Sequence, residues 1–121
     1  MTTVSFDIRI PQGSDVDVPI RLTDADGKAI DLTGASVDMQ VREFRDADEV
    51  LDELRSGTDR VTIDALAGKV TLHFPHGVTE LMPASALFYD IELISSEGRI
   101  QRILEGRLRV SREVTRVKDR K

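Results

Sequence analysis

The chain has 121 residues, with 17 basic and 22 acidic groups, a formal charge of −5 and no cysteine. That length fits one domain able to bury about two-thirds of its unfolded surface in a single core. The missing cysteines exclude disulfides, thiolate catalysis and cysteine-ligated metals, and fit a reducing compartment.

In chain order, "VSFDIRI" sets Val4, Phe6, Ile8 and Ile10 on one face against Ser5, Asp7 and Arg9. This is the period-two pattern of a half-buried strand. A Gln12-Gly13 turn leads into "VDVPIRL", with Val16, Val18, Ile20 and Leu22 inward. Pro19 has no N–H to donate, which puts this strand at an edge or a bulge. The stretch "DADGKAIDLTGASV", residues 24–37, holds Asp24, Asp26 and Gly27 in the order that begins a calcium loop. Such a loop needs a glutamate at its twelfth position, and that position is Ala35. A turn explains the same residues: Asp24 accepts from backbone N–H groups ahead of it, and Gly27 supplies a positive φ. Ile30 and Leu32 then return to the core.

"SVDMQVREF" alternates Val37, Met39 and Val41 against Asp38, Gln40 and Arg42. Within "RDADEVLDELRSG", Val50, Leu51 and Leu54 have helical spacing, while Val50, Asp52 and Leu54 would share one side of an irregular edge strand. Residues 48–56 stay open between helix and strand, and the surrounding β pattern favours the strand. "KVTLHF" points Val70, Leu72 and Phe74 inward. "HGVTELMPASA" reads as one short helical turn with Thr79 as its cap and Pro83 as its end. "FYDIELI" places Tyr89, Ile91 and Leu93 opposite Asp90 and Glu92. "GRIQRILEGRLRV" is the second arm of a hairpin, with Gly106 marking a bulge and Leu108 and Val110 inward. Turn glycines separate short runs throughout. The whole predicts an all-β antiparallel sandwich over residues 1–113 and a polar basic tail over 114–121.

The chemistry-bearing residues are sparse. His73 falls on a polar strand face and His76 in the next loop, with no third ligand at matching spacing, so surface histidines are expected rather than a zinc site. No serine sits in a G-x-S-x-G elbow and no glycine-rich phosphate loop is present. Aromatic content is 4% with no tryptophan, which removes the usual stacking platforms for sugars, and the single tyrosine, Tyr89, lies on the core pattern. The expectation is therefore a non-enzyme with no catalytic residue, cofactor or metal. The N-terminal "MTTVSFDIRIPQGS" lacks the basic start and apolar run of a secretory signal. No stretch reaches the ~20 apolar residues of a membrane span, so no membrane association is expected.

Charge is unevenly spread. Residues 99–121 hold nine basic and three acidic groups, a charge of +6, which leaves −11 on residues 1–98. Nucleic acid is not expected as a partner, because the basic segment has no aromatic residue to stack on bases. Arg107, Arg109, Arg112 and Arg116 are instead candidate contacts to an acidic protein neighbour.

The order of elements carries a resemblance. A "QG" turn leads a strand into "DADGKAIDLTG", then "VDMQVR", "GKVTLHF", "TELMPA" and "FYDIELISSEGRIQRILEGRLRVSREVTR". Over nearly its whole length the chain resembles small tail or baseplate structural proteins of tailed bacteriophages and prophages. It is similar to the immunoglobulin-like N-terminal domain of baseplate upper proteins. Family members often have glycine shortly before the tyrosine, where this chain has "ASALFY". The resemblance implies an immunoglobulin-like sandwich made in the bacterial host cytoplasm and built into the virion. Its place would be the tail, baseplate or neck, as an assembly or fibre-attachment adaptor. Its partners would be other virion structural proteins, and it would be oligomeric in the particle. The rival reading is a ligand-binding β-sandwich module that takes a host glycan or calcium.

Overall fold

A computed structural model describes residues 3–117. Two sheets face each other. In the first, β9 (Ile100–Ser111) lies beside β8 (Ala86–Ile94), then β4 (Ser36–Arg42), with β5 (Asp52–Arg55) at the edge. The opposite edge is the N-terminal segment, as β1 (Val4–Ser5) and β2 (Ile8–Pro11), both against β9. The second sheet holds β3 (Val16–Arg21), β7 (Lys69–Phe74) and β6 (Val61–Asp64) in that order. The chain crosses between the sheets after β2, β3, β5 and β7, so that β3-β7-β6 faces β9-β8-β4-β5, the arrangement of an immunoglobulin-like sandwich. The helical turn α1 (His76–Thr79) bridges β7 and β8.

Alternation drives the packing. Val37, Met39 and Val41 of β4, Leu87 and Ile91 of β8, and Val70, Leu72 and Phe74 of β7 are buried between the sheets. Burying each such side chain contributes roughly 1.5–3 kcal/mol. Pro19 lies in β3, an edge strand, as its missing N–H requires. Within residues 48–56, Asp52–Arg55 form the edge strand β5, with Leu54 fully buried, and Val50 lies before it, exposed. The strand β6, "VTID", was not anticipated, although Val61 and Ile63 alternate with Thr62 and Asp64.

Four expectations need correction. β1 and β2 pair with β9 in parallel, because the two ends of the chain meet there and no short hairpin constrains their direction. Val4 and Phe6 are exposed, at 55% and 48%, while Ile8 and Ile10 are buried. Both pairs lie at the same edge against β9, so the cover differs along the strand, falling off from the Leu108–Val110 level toward the Leu104 level. The bulge in β9 is at Ile103, not Gly106. Ile91 pairs with Leu104 and Glu92 with Arg102, so Ile103 is the extra residue, and both Ile103 and Leu104 turn inward. Thr79 is no cap: the helical turn starts after Pro75 without a side-chain cap. Thr79 is fully buried at the other end of the turn. Its hydroxyl accepts from the Gly13 N–H at 3.0 Å and donates to the Ser14 carbonyl at 2.8 Å, which ties α1 to the Gln12-Gly13 turn. The tail is described only through residue 117, and residues 118–121 lie outside the described part.

Gly106 has a different role from the one its spacing suggested. It pairs in register with Tyr89, and a Cβ there would overlap the Phe6 carbonyl oxygen. The parallel ladder is rewired at this point. Phe6 N–H donates to the Glu105 carbonyl at 2.9 Å. The next bond of the ladder would run from Arg107 N–H to the Phe6 carbonyl. Instead, Arg107 N–H donates to Asp7 Oδ1 at 3.1 Å, and the Tyr89 hydroxyl donates to the Phe6 carbonyl. Two side chains thus replace one backbone bond, and the missing Cβ makes room for the carbonyl.

Candidate functional site

The Asp24–Gly27 stretch is committed to a turn. Asp24 Oδ1 accepts from the N–H groups of Asp26, at 2.9 Å, and Lys28, at 3.0 Å. Gly27 has φ +82°, a value that glycine adopts without steric cost. Asp31 turns the chain again by accepting from the N–H and hydroxyl of Thr33, which holds its carboxyl below the ordinary range.

The histidines sit apart, each with its own carboxylate. His76 Nδ1 lies 3.0 Å from Asp15 Oδ1, which also accepts the His76 N–H at 2.6 Å. These bonds, the backbone one first, hold the Asp15 carboxyl below its usual range. On the outer face of the second sheet, His73 Nδ1 is 2.7 Å from Asp17 Oδ1, and its Nε2 is 2.7 Å from Thr62 Oγ1. Hydroxyl, imidazole and carboxylate are connected as in a nucleophilic triad. The surroundings differ from one. The three residues run across an exposed sheet face, on β6, β7 and β3. A shallow depression reaches Asp17 and His73 but leaves Thr62 outside it. The chain of bonds works as a cross-strand tie. Among the described residues, no three His, Asp or Glu side chains converge as a metal site.

The four candidate arginines divide into two pairs. β9 gives Leu108 and Val110 to the core, so Arg107 and Arg109 project from the outer face. Arg107 is used within the fold: its guanidinium lies 3.9 Å from the centroid of the Phe88 ring and donates to the Ala86 carbonyl at 2.6 Å. Arg109 Nε donates to Asp7 Oδ2 at 2.9 Å. Arg112 and Arg116 lie past the end of β9, exposed beside Gly13, His76 and Leu81. Arg116 donates to the Glu113 carbonyl. The Gln12 side chain fixes this end by accepting the Glu113 N–H at 3.0 Å and donating to the Met82 carbonyl at 2.9 Å.

The Arg109 guanidinium first, and the Arg107 N–H second, hold the Asp7 carboxyl below its usual range. A carboxyl whose folded pKa is depressed stabilises the fold above its unfolded value, about 3.9, and loses that contribution as pH falls through the folded value. Asp7→Asn keeps an oxygen for the Arg107 N–H but removes the charge and the second oxygen that accepts from Arg109. The variant should have a lower urea midpoint than the parent at neutral pH, with the two curves converging as pH falls through the depressed folded value. A gap that is unchanged at low pH would place the effect elsewhere.

Two features escaped the sequence reading. Phe88 is the one apolar residue among the outward positions of "FYDIE", and the Arg45 and Arg107 guanidinium groups both lie against its ring. The Arg60–Asp52 pair, at 2.6 Å, is nearly enclosed between the sheets. No family model matches the chain, and no curated protein matches it.

Proposed function

We propose that the protein is a non-enzymatic structural component of a tailed-phage virion, an adaptor in the tail, baseplate or neck that joins other structural proteins. The order of its elements supports this reading through the resemblance described above. The observation that carries it further is the exposed end of the sandwich past β9. There Arg112 and Arg116 share a surface with Leu81 and Val117, which are 82% and 51% exposed, and with Glu80 and Glu113. Exposed apolar side chains bordered by charged groups of both signs make a contact surface for a protein. Arg107 and Arg109 are both held within the fold, so the contact to an acidic neighbour passes to Arg112 and Arg116.

The test is composition. Particles induced from the host strain and purified through a density gradient should contain the chain in fixed ratio to the tail proteins. A chain found only in the soluble lysate, and never with particles, would overturn the proposal. Arg112→Ala combined with Arg116→Ala should lower incorporation by tenfold or more while leaving the thermal midpoint within about 1 °C, since exposed substitutions cost little stability.

A further inference from the structure

We infer that the N-terminal edge of the first sheet pairs with the same edge of a second copy, antiparallel, so that the two sheets run on as one. The pairing rests on the edge itself and not on the virion reading.

The free edges of the two sheets differ. β3 carries Pro19, and β5 and β6 have four residues each. Short or proline-bearing edges resist pairing with another chain. The remaining edge, β1 with β2, keeps one register against β9 from Val4 to Pro11, with no proline before its last residue. The N–H groups of Phe6 and Gln12 donate to β9. Alternation along the strand then points the backbone groups of Ser5, Asp7 and Arg9 away from β9 and into solvent. Val4 shares the inner face with its buried neighbour Leu104, yet it and Phe6 stay exposed. Unpaired backbone groups and uncovered apolar side chains thus occupy the same stretch.

This edge complements itself, which selects a second copy as its occupant. A two-fold axis normal to the sheet, passing beside Phe6, sets the two strands edge to edge with both inner faces on the same side. Phe6 then stands opposite Phe6 of the other copy, and Val4 opposite Ile8. Cross-strand apolar and aromatic pairs of this kind stabilise a sheet. Ser5 stands opposite Asp7, and Thr3 opposite Arg9. These are the residues whose N–H and carbonyl groups β9 leaves free, so each such pair exchanges both ladder bonds. Away from the axis every contact occurs twice, as an isologous interface requires. The Asp7 carboxylate keeps its bonds to Arg107 and Arg109, which lie on the β9 side. Sliding one step along would set Asp7 against Asp7, and like charges directly opposite are destabilising. Sliding the other way shortens the paired stretch and takes Phe6 off the axis. One register is therefore preferred.

Light scattering should show the mass rising toward twice the 13.5 kDa of one chain as the concentration reaches ~100 µM. In the dimer the amides of Ser5, Asp7 and Arg9 should exchange with solvent roughly tenfold or more slowly than in the dilute chain. That reading needs no variant, and it distinguishes edge pairing from an exchange of N-terminal strands between copies, which would leave these amides unprotected. Ser5→Pro deletes an N–H that one copy leaves free. It should weaken dimerisation by roughly tenfold or more while the thermal midpoint of the monomer changes little. Phe6→Lys and Phe6→Asp test the symmetry, because each sets like charges together on the axis. Either variant alone should stay monomeric, and mixing them should give a dimer holding one copy of each. A wild-type chain that stays monomeric would overturn the inference. So would a dimer whose three amides exchange freely, a Ser5→Pro chain that dimerises as the parent does, or a mixture no more associated than its parts.

Discussion

Gly106→Ala is expected to leave the chain largely unfolded at room temperature, or to cost it more than about 3 kcal/mol, the upper range for overpacking a site that cannot relax. The added methyl would occupy the place of the Phe6 carbonyl oxygen. That oxygen cannot easily retreat, because it accepts the Tyr89 hydroxyl in the interior. Burial pushes the Tyr89 hydroxyl pKa up, and the Asp7 charge adds to the rise, so the group stays a donor across the working pH range. Tyr89→Phe separates the two causes. It leaves the carbonyl in place without its donor and should cost about 1–3 kcal/mol, the penalty of an unsatisfied buried acceptor. The two substitutions act on one carbonyl, so their combined cost should fall short of the sum. Chemical denaturation monitored by circular dichroism reads all three. A Gly106→Ala protein as stable as the parent would show that the N-terminal strand can leave β9 without loss.

The core was legible because alternation identifies residues that share a face, and it did so correctly for β3, β4, β7 and β8. Alternation does not say whether anything covers that face. Val4 and Phe6 follow the pattern as well as Ile8 and Ile10 do, yet only the second pair is buried. Both pairs lie beside β9 at the same edge of the sheet, and the pattern within one strand does not show which end of it is covered. The glycine of β9 was legible as special but not for its reason. A bulge and a close backbone approach both call for glycine, and only the register shows that the extra residue is Ile103.

Side-chain roles were harder to read. Asp24 and Gly27 lie within four residues of the groups they bond, so local rules sufficed for that turn. The partners of His73 and His76 are 56 and 61 residues away, and nothing local points to them. The arginines of β9 looked alike in sequence. Their fates differ because Arg107 leans toward β8 and Phe88, while Arg109 leans toward Asp7 on the other side. A run of positive charge is thus partly consumed by the fold that displays it, and only the residues beyond the last strand remain outside the sheet's own bonding.

The second large effect belongs to Arg60, which no motif marked. Its guanidinium grips the Asp52 carboxylate of β5 with two bonds, at 3.0 and 2.6 Å, and its Nε donates to the His73 carbonyl of β7 at 2.8 Å. The Phe74 ring lies 5.8 Å away. One side chain therefore ties the edge of the first sheet to the second sheet, and the Asp52 side chain is only 8% exposed. Arg60→Met should cost about 3 kcal/mol, because it strands a shielded carboxylate without its counter-charge. For a domain of this size that lowers the thermal midpoint by roughly 10 °C. Asp52→Asn should cost less, since Arg60 keeps the His73 carbonyl and reaches water at its own 17% exposed surface. Adding Asp52→Leu to Arg60→Met should recover most of the loss, because an apolar pair removes the stranded charge altogether. If the double variant proved no more stable than Arg60→Met alone, the arginine would matter through its bond to the His73 carbonyl, and the sheets would be held by that bond rather than by the ion pair.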